Sequence, residues 1–369
     1  MFLNLNQYLL LASLNLFQIA YSHDFFTKEN LQSGLSEHFV NWLNDSGYEP
    51  YGFNRSDLFG GSFGGKVDDD DKIINQPVIF IHGNGDLAAG PEEQDQAGFK
   101  YSAAYFLEKG YKMSELYGTT WGFGDIPHEG QHFHNKEQLL YLRKFVEAVL
   151  EYTGAAKIDV VSHSMGVTFS RRILKGGMIL SLGNPFYLGE PLTHRVDSFV
   201  GIAGPNWGLL ACSLYLTQSF KCCNDKSGFF PGTSGGNPYP MNMSSYLEEL
   251  NKDTNKEGEH TFSIISLYDM TVTPYVYDRY TSEFPMQDGS YKFDDANYTH
   301  VTVKDYTYEM QYNLVTIHKF FPNTTQSDLI LLTNSSSNIN PQYLSGVIAH
   351  ESYGTLQIQQ SHRDQLFLK

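Results

Sequence analysis

The stretch Ile158-Asp159-Val160-Val161-Ser162-His163-Ser164-Met165-Gly166-Val167 is a short apolar run that stops at a serine held between small residues and then turns helical. Read as strand, sharp turn and helix, it presents Ser164 as a nucleophile elbow. In such a turn the residues two before and two after the serine must be small, because their side chains would otherwise collide across the strained backbone. Gly166 meets that demand, and Ser162 stands where glycine is usual, with the next smallest polar side chain. The string alone is short enough to recur by chance, so its surroundings decide its meaning.

Outward from the elbow, strand and helix patterns alternate. Residues 77–82 form a continuous apolar run of strand length ended by Gly83-Asn84-Gly85-Asp86, and residues 196–203 and 261–267 read as two further buried strands. Helical spacing is present over 98–109 and over 136–152, where Leu139, Leu142, Phe145, Val146 and Leu150 share one side. This alternation predicts an α/β fold with a doubly wound, mostly parallel sheet and helices on both faces. Ligands in such sheets bind at the carboxyl ends of the strands, where His82 to Gly85, Ser164 and Asp269 fall. Residues 227–243 read as a loop rich in glycine, proline and aromatics, in which Phe229 and Phe230 are taken as packing residues with an acyl groove as the alternative. Helix resumes at 246–250, and a last amphipathic helix is expected over 305–321.

The organisation expected is a signal peptide over 1–22, an N-terminal arm or cap over 23–66, a catalytic domain over 67–322 and a polar C-terminal extension over 323–369. Within the arm, Leu31, Leu35, Phe39, Val40 and Leu43 have helical spacing. The run Asp68-Asp69-Asp70-Asp71-Lys72 reads as a solvated loop.

A chain that is 41% hydrophobic and 15% aromatic buries a large core. Its formal charge of -16 excludes nucleic acid and anionic membrane as main partners, since both repel such a surface. The apolar run 9–14 followed by Ala20 and Ser22 has the form of a secretory leader, and no later segment has the length of about 20 apolar residues that a membrane span requires. Secretion agrees with sequons at Asn44, Asn54, Asn242, Asn297, Asn323 and Asn334. It also agrees with a disulfide from Cys212 to either Cys222 or Cys223, which leaves one thiol over. Three cysteines without a nearby histidine do not complete a zinc tetrahedron, so no metal is assigned.

A serine hydroxyl is a weak nucleophile at neutral pH. It needs a histidine to take its proton, an acid to orient that histidine and donors for the oxyanion. Asp269 follows the strand ending near Leu267, the place for the acid. Of the later histidines, His318 falls in the last expected helix and His350 and His362 in the tail, so His300 is the expected base.

His82-Gly83, Tyr117-Gly118-Thr119-Thr120-Trp121-Gly122, Ser162-His163-Ser164-Met165-Gly166, Tyr268-Asp269-Met270 and His300-Val301 together resemble the class 2 triacylglycerol lipases, particularly their secreted nematode branch. The resemblance runs from about residue 61 to 322. It implies an α/β-hydrolase fold, no redox cofactor, and hydrolysis of acylglycerols or related esters. Carried over by position, Ser164 is the nucleophile, Asp269 the acid and His300 the base, with the amides of Asn84 and Met165 as oxyanion donors. The implied partners are a lipid or small ester substrate and a transient lipid interface, with no stable protein partner. Two other readings are weighed. One is a silent lipid-binding homologue. The other is a zinc peptidase, because His128-Glu129-Gly130-Gln131-His132 matches H-E-x-x-H, although Pro127 and Gly130 argue against the helix that this motif requires.

Overall fold

The computed structural model describes residues 33–92, 95–214, 219–234 and 240–321. The expected leader, the C-terminal extension with His350 and His362, and the sequons at Asn323 and Asn334 lie outside the described residues.

Eight strands form one sheet. They are β1 (Gly34–Leu35), β2 (Ser62–Gly64), β3 (Val78–Ile81), β4 (Leu116–Thr119), β5 (Ile158–His163), β6 (Val196–Ile202), β7 (His260–Ser266) and β8 (Gly289–Phe293), in the order β1-β2-β4-β3-β5-β6-β7-β8. From β4 to β8 every neighbouring pair is parallel, whereas β2 is antiparallel to β4 and carries β1 parallel to itself. The helices are α1 (Glu37–Asp45), α2 (Lys100–Glu108), α3 (Lys136–Thr153), α4 (Met165–Lys175), α5 (Ser245–Lys252), α6 (Thr302–Asp305) and α7 (Tyr308–Thr316). This is the expected doubly wound α/β-hydrolase architecture.

Alternation along the central strands explains the two covered faces. Ile79 and Ile81 of β3 join Val160 of β5 in a core shared with Leu142, Phe145 and Val146 of α3 and Val167 and Phe169 of α4. Phe80 points the other way, onto Phe99 and Phe106, on the side where α2 meets α7. Each such fully buried apolar side chain contributes about 2 kcal/mol, which is why β3 reads as an unbroken apolar run and β5 is interrupted only by Asp159 before its polar end. Helix α3 is closed at both ends by its own sequence: the side chain of Asn135 accepts from Gln138 N, and Gly154 takes the left-handed conformation at φ 65°. Helix α4, which follows the elbow, is anchored by the buried Arg171. Its Nε donates to Glu257 Oε1 at 2.8 Å, and its Nη1 to Asn206 and Asn251. Removing one partner of such a pair strands the other at a cost of about 3–5 kcal/mol, so this contact fixes where α4 lies.

Several sequence expectations are corrected. The segment expected as an arm or cap supplies β1 and β2 and so forms the edge of the sheet, and Leu35 lies in β1 rather than in the helix that follows. The expected helix over 305–321 is two helices broken at Tyr306 and Thr307, and it ends at Thr316. His318 therefore lies beyond the helix, at φ 56°. The acidic run is a loop as expected, with Asp68, Asp69 and Asp70 exposed. Among the described residues no helix is long and apolar enough to cross a membrane.

Candidate active site

Chain order moves from β3 to β4 on one side and then returns to β5 on the other side of β3, so the crevice at the carboxyl ends of β3 and β5 is the switch point of the sheet. The loop after β3 and the elbow after β5 meet there. Ser164 has φ 52° and ψ -129°, a strained conformation for a residue with a side chain, and its N–H is tied to Ile202 O at 2.9 Å. A Cβ on Gly166 would press into the carbonyl oxygens of Ile81 and His82, and a Cβ on Gly83 would stand 2.9 Å from Ser164 Cβ. Only glycine permits this approach. The hydroxyl of Ser162, the residue that departs from the usual glycine, donates to Ser170 Oγ of α4 at 2.7 Å, so it is satisfied within the turn.

The three residues singled out in sequence come together. His300 Nδ1 donates to Asp269 Oδ2 at 2.6 Å, and His300 Nε2 accepts from Ser164 Oγ at 2.9 Å. The other carboxylate oxygen of Asp269 accepts from the amides of Thr271 and Val272 at 2.8 and 2.9 Å, which fixes the carboxylate plane. The backbone oxygen of His300 accepts from His163 Nε2 at 2.9 Å, so the residue before the serine holds the loop that carries the histidine. The amides of Asn84 and Met165 have no protein acceptor among the described residues, and both residues line the cavity beside Ser164. That arrangement can accept an ester carbonyl, shift a proton between oxygen and nitrogen, and hold an oxyanion.

The cavity above Ser164 has a volume of about 570 Å³ and apolar walls that include Ile126, Leu209, Phe220, Phe229 and Val272. Phe229 thus both packs on His134 and lines the cavity, while Phe230 is not among the lining residues. The disulfide joins Cys212 to Cys223 and leaves Cys222 free, and all three cysteines lie in the same wall. A larger groove of about 770 Å³, lined by Phe133, Lys136, Leu180, Phe186 and Glu249, contains none of the three residues.

One part of the site was not legible. Asn84 Nδ2 donates to Glu129 O at 2.9 Å, and Asn84 Oδ1 is bonded by His132 Nδ1. The stretch with the H-E-x-x-H pattern is therefore a brace for the loop bearing the Asn84 amide. It is a 3-10 helix over Ile126–Gln131, in which positions four apart point about 120° away from each other instead of sharing a face. His128 pairs with Asp125 at 2.7 Å, and the two histidines do not converge. The zinc-peptidase reading fails on that geometry. The only sequence hint of the brace was an asparagine directly after His82-Gly83, and nothing local pairs it with a histidine 48 positions away.

His82 and His134 are among the buried, neutral histidines near the site. His82 donates from Nδ1 to Gly83 O and accepts from Trp121 N at Nε2, while His134 lies between Ser227 O and Thr168 Oγ1 against the ring of Tyr246. Burial pushes the pKa of each down to about 3. The unfolded chain protonates both near pH 6.5, so their contribution to stability is full above that pH and is lost as pH falls from about 6.5 towards 3. Each is expected to cost up to about 1.4 kcal/mol per pH unit in that window. Urea unfolding at pH 7.5, 6 and 5 measures the loss, and equal stabilities at the three values would contradict it.

With this geometry established, comparison with known proteins gives the family. A family model described as Lipase (class 2) matches residues 75–313, well over half of the chain. The chain belongs to the class 2 lipase family. Solved structures similar to this chain include Aspergillus fumigatus lipase B, at 13% identity over 74% of this chain and 59% of that one, with a TM-score of 0.45. Bacillus licheniformis lipase BlEst2 in mature form is similar at 15% identity over 70% of this chain and 98% of that one, with a TM-score of 0.43. The naproxen esterase of Bacillus subtilis is similar at 12% identity over 71% of this chain and 88% of that one, with a TM-score of 0.37. This chain thus spans about three fifths of the length of the Aspergillus lipase.

Proposed function

We propose that this class 2 lipase is a secreted enzyme that hydrolyses carboxylic esters of acylglycerols through an acyl-enzyme on Ser164. The observation that carries the reading is the continuous chain from Asp269 through His300 to Ser164 at the floor of an apolar-walled cavity. Ser164 Oγ attacks the ester carbonyl as its proton passes to His300 Nε2, and the carbonyl oxygen becomes an anion facing the amides of Asn84 and Met165. His300 returns the proton to the departing alcohol oxygen, and Ser164 keeps the acyl group. Water then gives its proton to His300, attacks the acyl carbon, and releases the fatty acid with Ser164 restored. Each oxyanion donor contributes about 3 kcal/mol to this transition state.

The apolar part of the wall favours an acyl chain, and the acidic Asp95 and Glu129 in the same lining disfavour an anionic group. Support for secretion comes from the leader-like N-terminal run, the disulfide, and the exposure of Asn44, Asn242 and Asn297 in their sequons.

The test is a fluorophosphonate probe followed by a panel of esters of rising chain length. One label per chain is expected, on the peptide bearing Ser164, together with hydrolysis that improves with acyl length until the cavity is filled. Absence of both labelling and turnover would overturn the enzymatic reading and leave the silent homologue in its place. Label on another residue would move the nucleophile.

A further inference from the structure

At the end of the sheet opposite Ser164, three side chains from distant parts of the chain converge. Asp197 lies at the amino end of β6, His260 opens β7 beside it, and His318 follows α7. The ligand atoms of the three residues all lie within 4.8 Å of one another. His318 Nε2 is 3.0 Å from Asp197 Oδ2, and the rings of His260 and His318 lie 3.8 Å apart at 17°. From β6 alone, the length of the strand puts this cluster roughly 20 Å from the carboxyl ends where substrate is placed.

We propose that Asp197, His260 and His318 form a binding site for a divalent transition metal of the zinc class, distinct from the hydrolytic site. An ion pair between Asp197 and His318 accounts for two of the groups and leaves His260 unexplained. Neither ring nitrogen of His260 has a protein hydrogen-bond partner among the described residues, yet the ring is stacked on the pair. His318 reaches the cluster from a left-handed backbone at φ 56°, a strained conformation for a residue with a Cβ. Asp197 divides its two oxygens. One lies 3.4 Å from Lys157 Nζ, and the other faces the imidazoles. The carboxylate is thus oriented from outside, as outer partners orient metal ligands.

Two imidazoles and one carboxylate suit zinc, copper or nickel, whereas calcium and magnesium require sets made almost wholly of oxygen. Zinc bonds of about 2.1 Å bring tetrahedral donors to roughly 3.4 Å apart. The present separations run from 3.0 Å up to 4.8 Å, and because rings stacked 3.8 Å apart do not aim their in-plane nitrogens at one point, binding requires the ring of His260 to swing out of the stack. His318 and Asp197 are 33% and 22% exposed, which leaves room for water as the fourth ligand. A bound ion would cross-link β6, β7 and the chain leaving α7, and so would act on stability and not on turnover.

The test uses the full chain stripped with EDTA and titrated with zinc chloride in a calorimeter. One equivalent is expected, with a rise in the thermal midpoint. The double variant His260→Ala, His318→Ala is expected to lose that equivalent or bind it about 100-fold more weakly, while it retains its circular dichroism and its rate on a short ester. Cobalt binding, read by its visible absorption, separates a four-coordinate site with nitrogen ligands from loose surface binding. The proposal is overturned by absence of zinc binding below millimolar concentration, or by a stoichiometry that persists in the double variant. If the double variant fails to fold, His260→Gln and His318→Gln singly carry the same test, with the parent's affinity retained in both again overturning it.

Discussion

Ser164→Ala is expected to lower kcat/KM for ester hydrolysis about a million-fold and to leave the fold intact. The side chain of Ser164 makes one hydrogen bond, to His300, and its strained backbone already carries a Cβ, so alanine brings no new atom into the elbow. What is lost is the oxygen that the proposed mechanism uses to attack. The amides of Asn84 and Met165 remain in place, and a cavity that binds and polarises an ester without a nucleophile retains about a thousand-fold advantage over water. The measurement is the rate of a pure preparation on a short-chain ester, with circular dichroism and a thermal melt as controls for folding. An undiminished rate would remove Ser164 from the mechanism, and the acyl-enzyme with it.

How far the fold was legible depended on the length and composition of each strand. β3, β5, β6 and β7 are buried on both faces and announce themselves as apolar runs, while β4 and β8 do not. β4 reads Leu-Tyr-Gly-Thr, and β8 reads Gly-Ser-Tyr-Lys-Phe at the edge of the sheet, where one side of the ladder has no neighbour. Neither carries enough β-branched residues to stand out, and both are strands because a neighbour offers a register. β1 and β2 are shorter still and hold glycines, so their place is decided by pairing, of β2 to β4 and of β1 to β2, and not by their own propensity.

The site shows the same division. That Ser164, Asp269 and His300 come together was legible because strand ends and chain order restrict the choices for the proposed nucleophile, acid and base. The brace from His132 and Glu129 to Asn84 was not, since it is a contact between two loops. The sequence disfavours a helix there, through Pro127 and Gly130, and the structure has a 3-10 turn, but nothing local announces that the turn braces Asn84. Ser162 was ambiguous in sequence for a related reason: whether its hydroxyl disturbs the elbow depends on Ser170, eight residues on, facing it across the strand-to-helix turn.

The second large effect is expected for Asp269→Asn, a change of one atom that leaves the shape of the site unaltered. Asp269 Oδ1 accepts from the amides of Thr271 and Val272, and a replacement amide keeps those two bonds only by turning its own oxygen towards them. Its NH₂ group then faces His300 Nδ1, the nitrogen that now donates to Asp269 Oδ2 at 2.6 Å. Two donors cannot share that contact. His300 must give up its proton at Nδ1 and carry it on Nε2, the nitrogen that has to receive the proton of Ser164. In the wrong tautomer the base is already occupied, and a loss of about 10,000-fold in kcat is expected with KM little changed. Proton NMR of the imidazole N–H identifies which nitrogen is protonated in each protein, and steady-state kinetics measure the loss. A variant within tenfold of the parent rate, or one whose His300 keeps its proton at Nδ1, would mean that Asp269 only shapes the loop after β7 and that the orientation of His300 is set by His163 through its backbone oxygen.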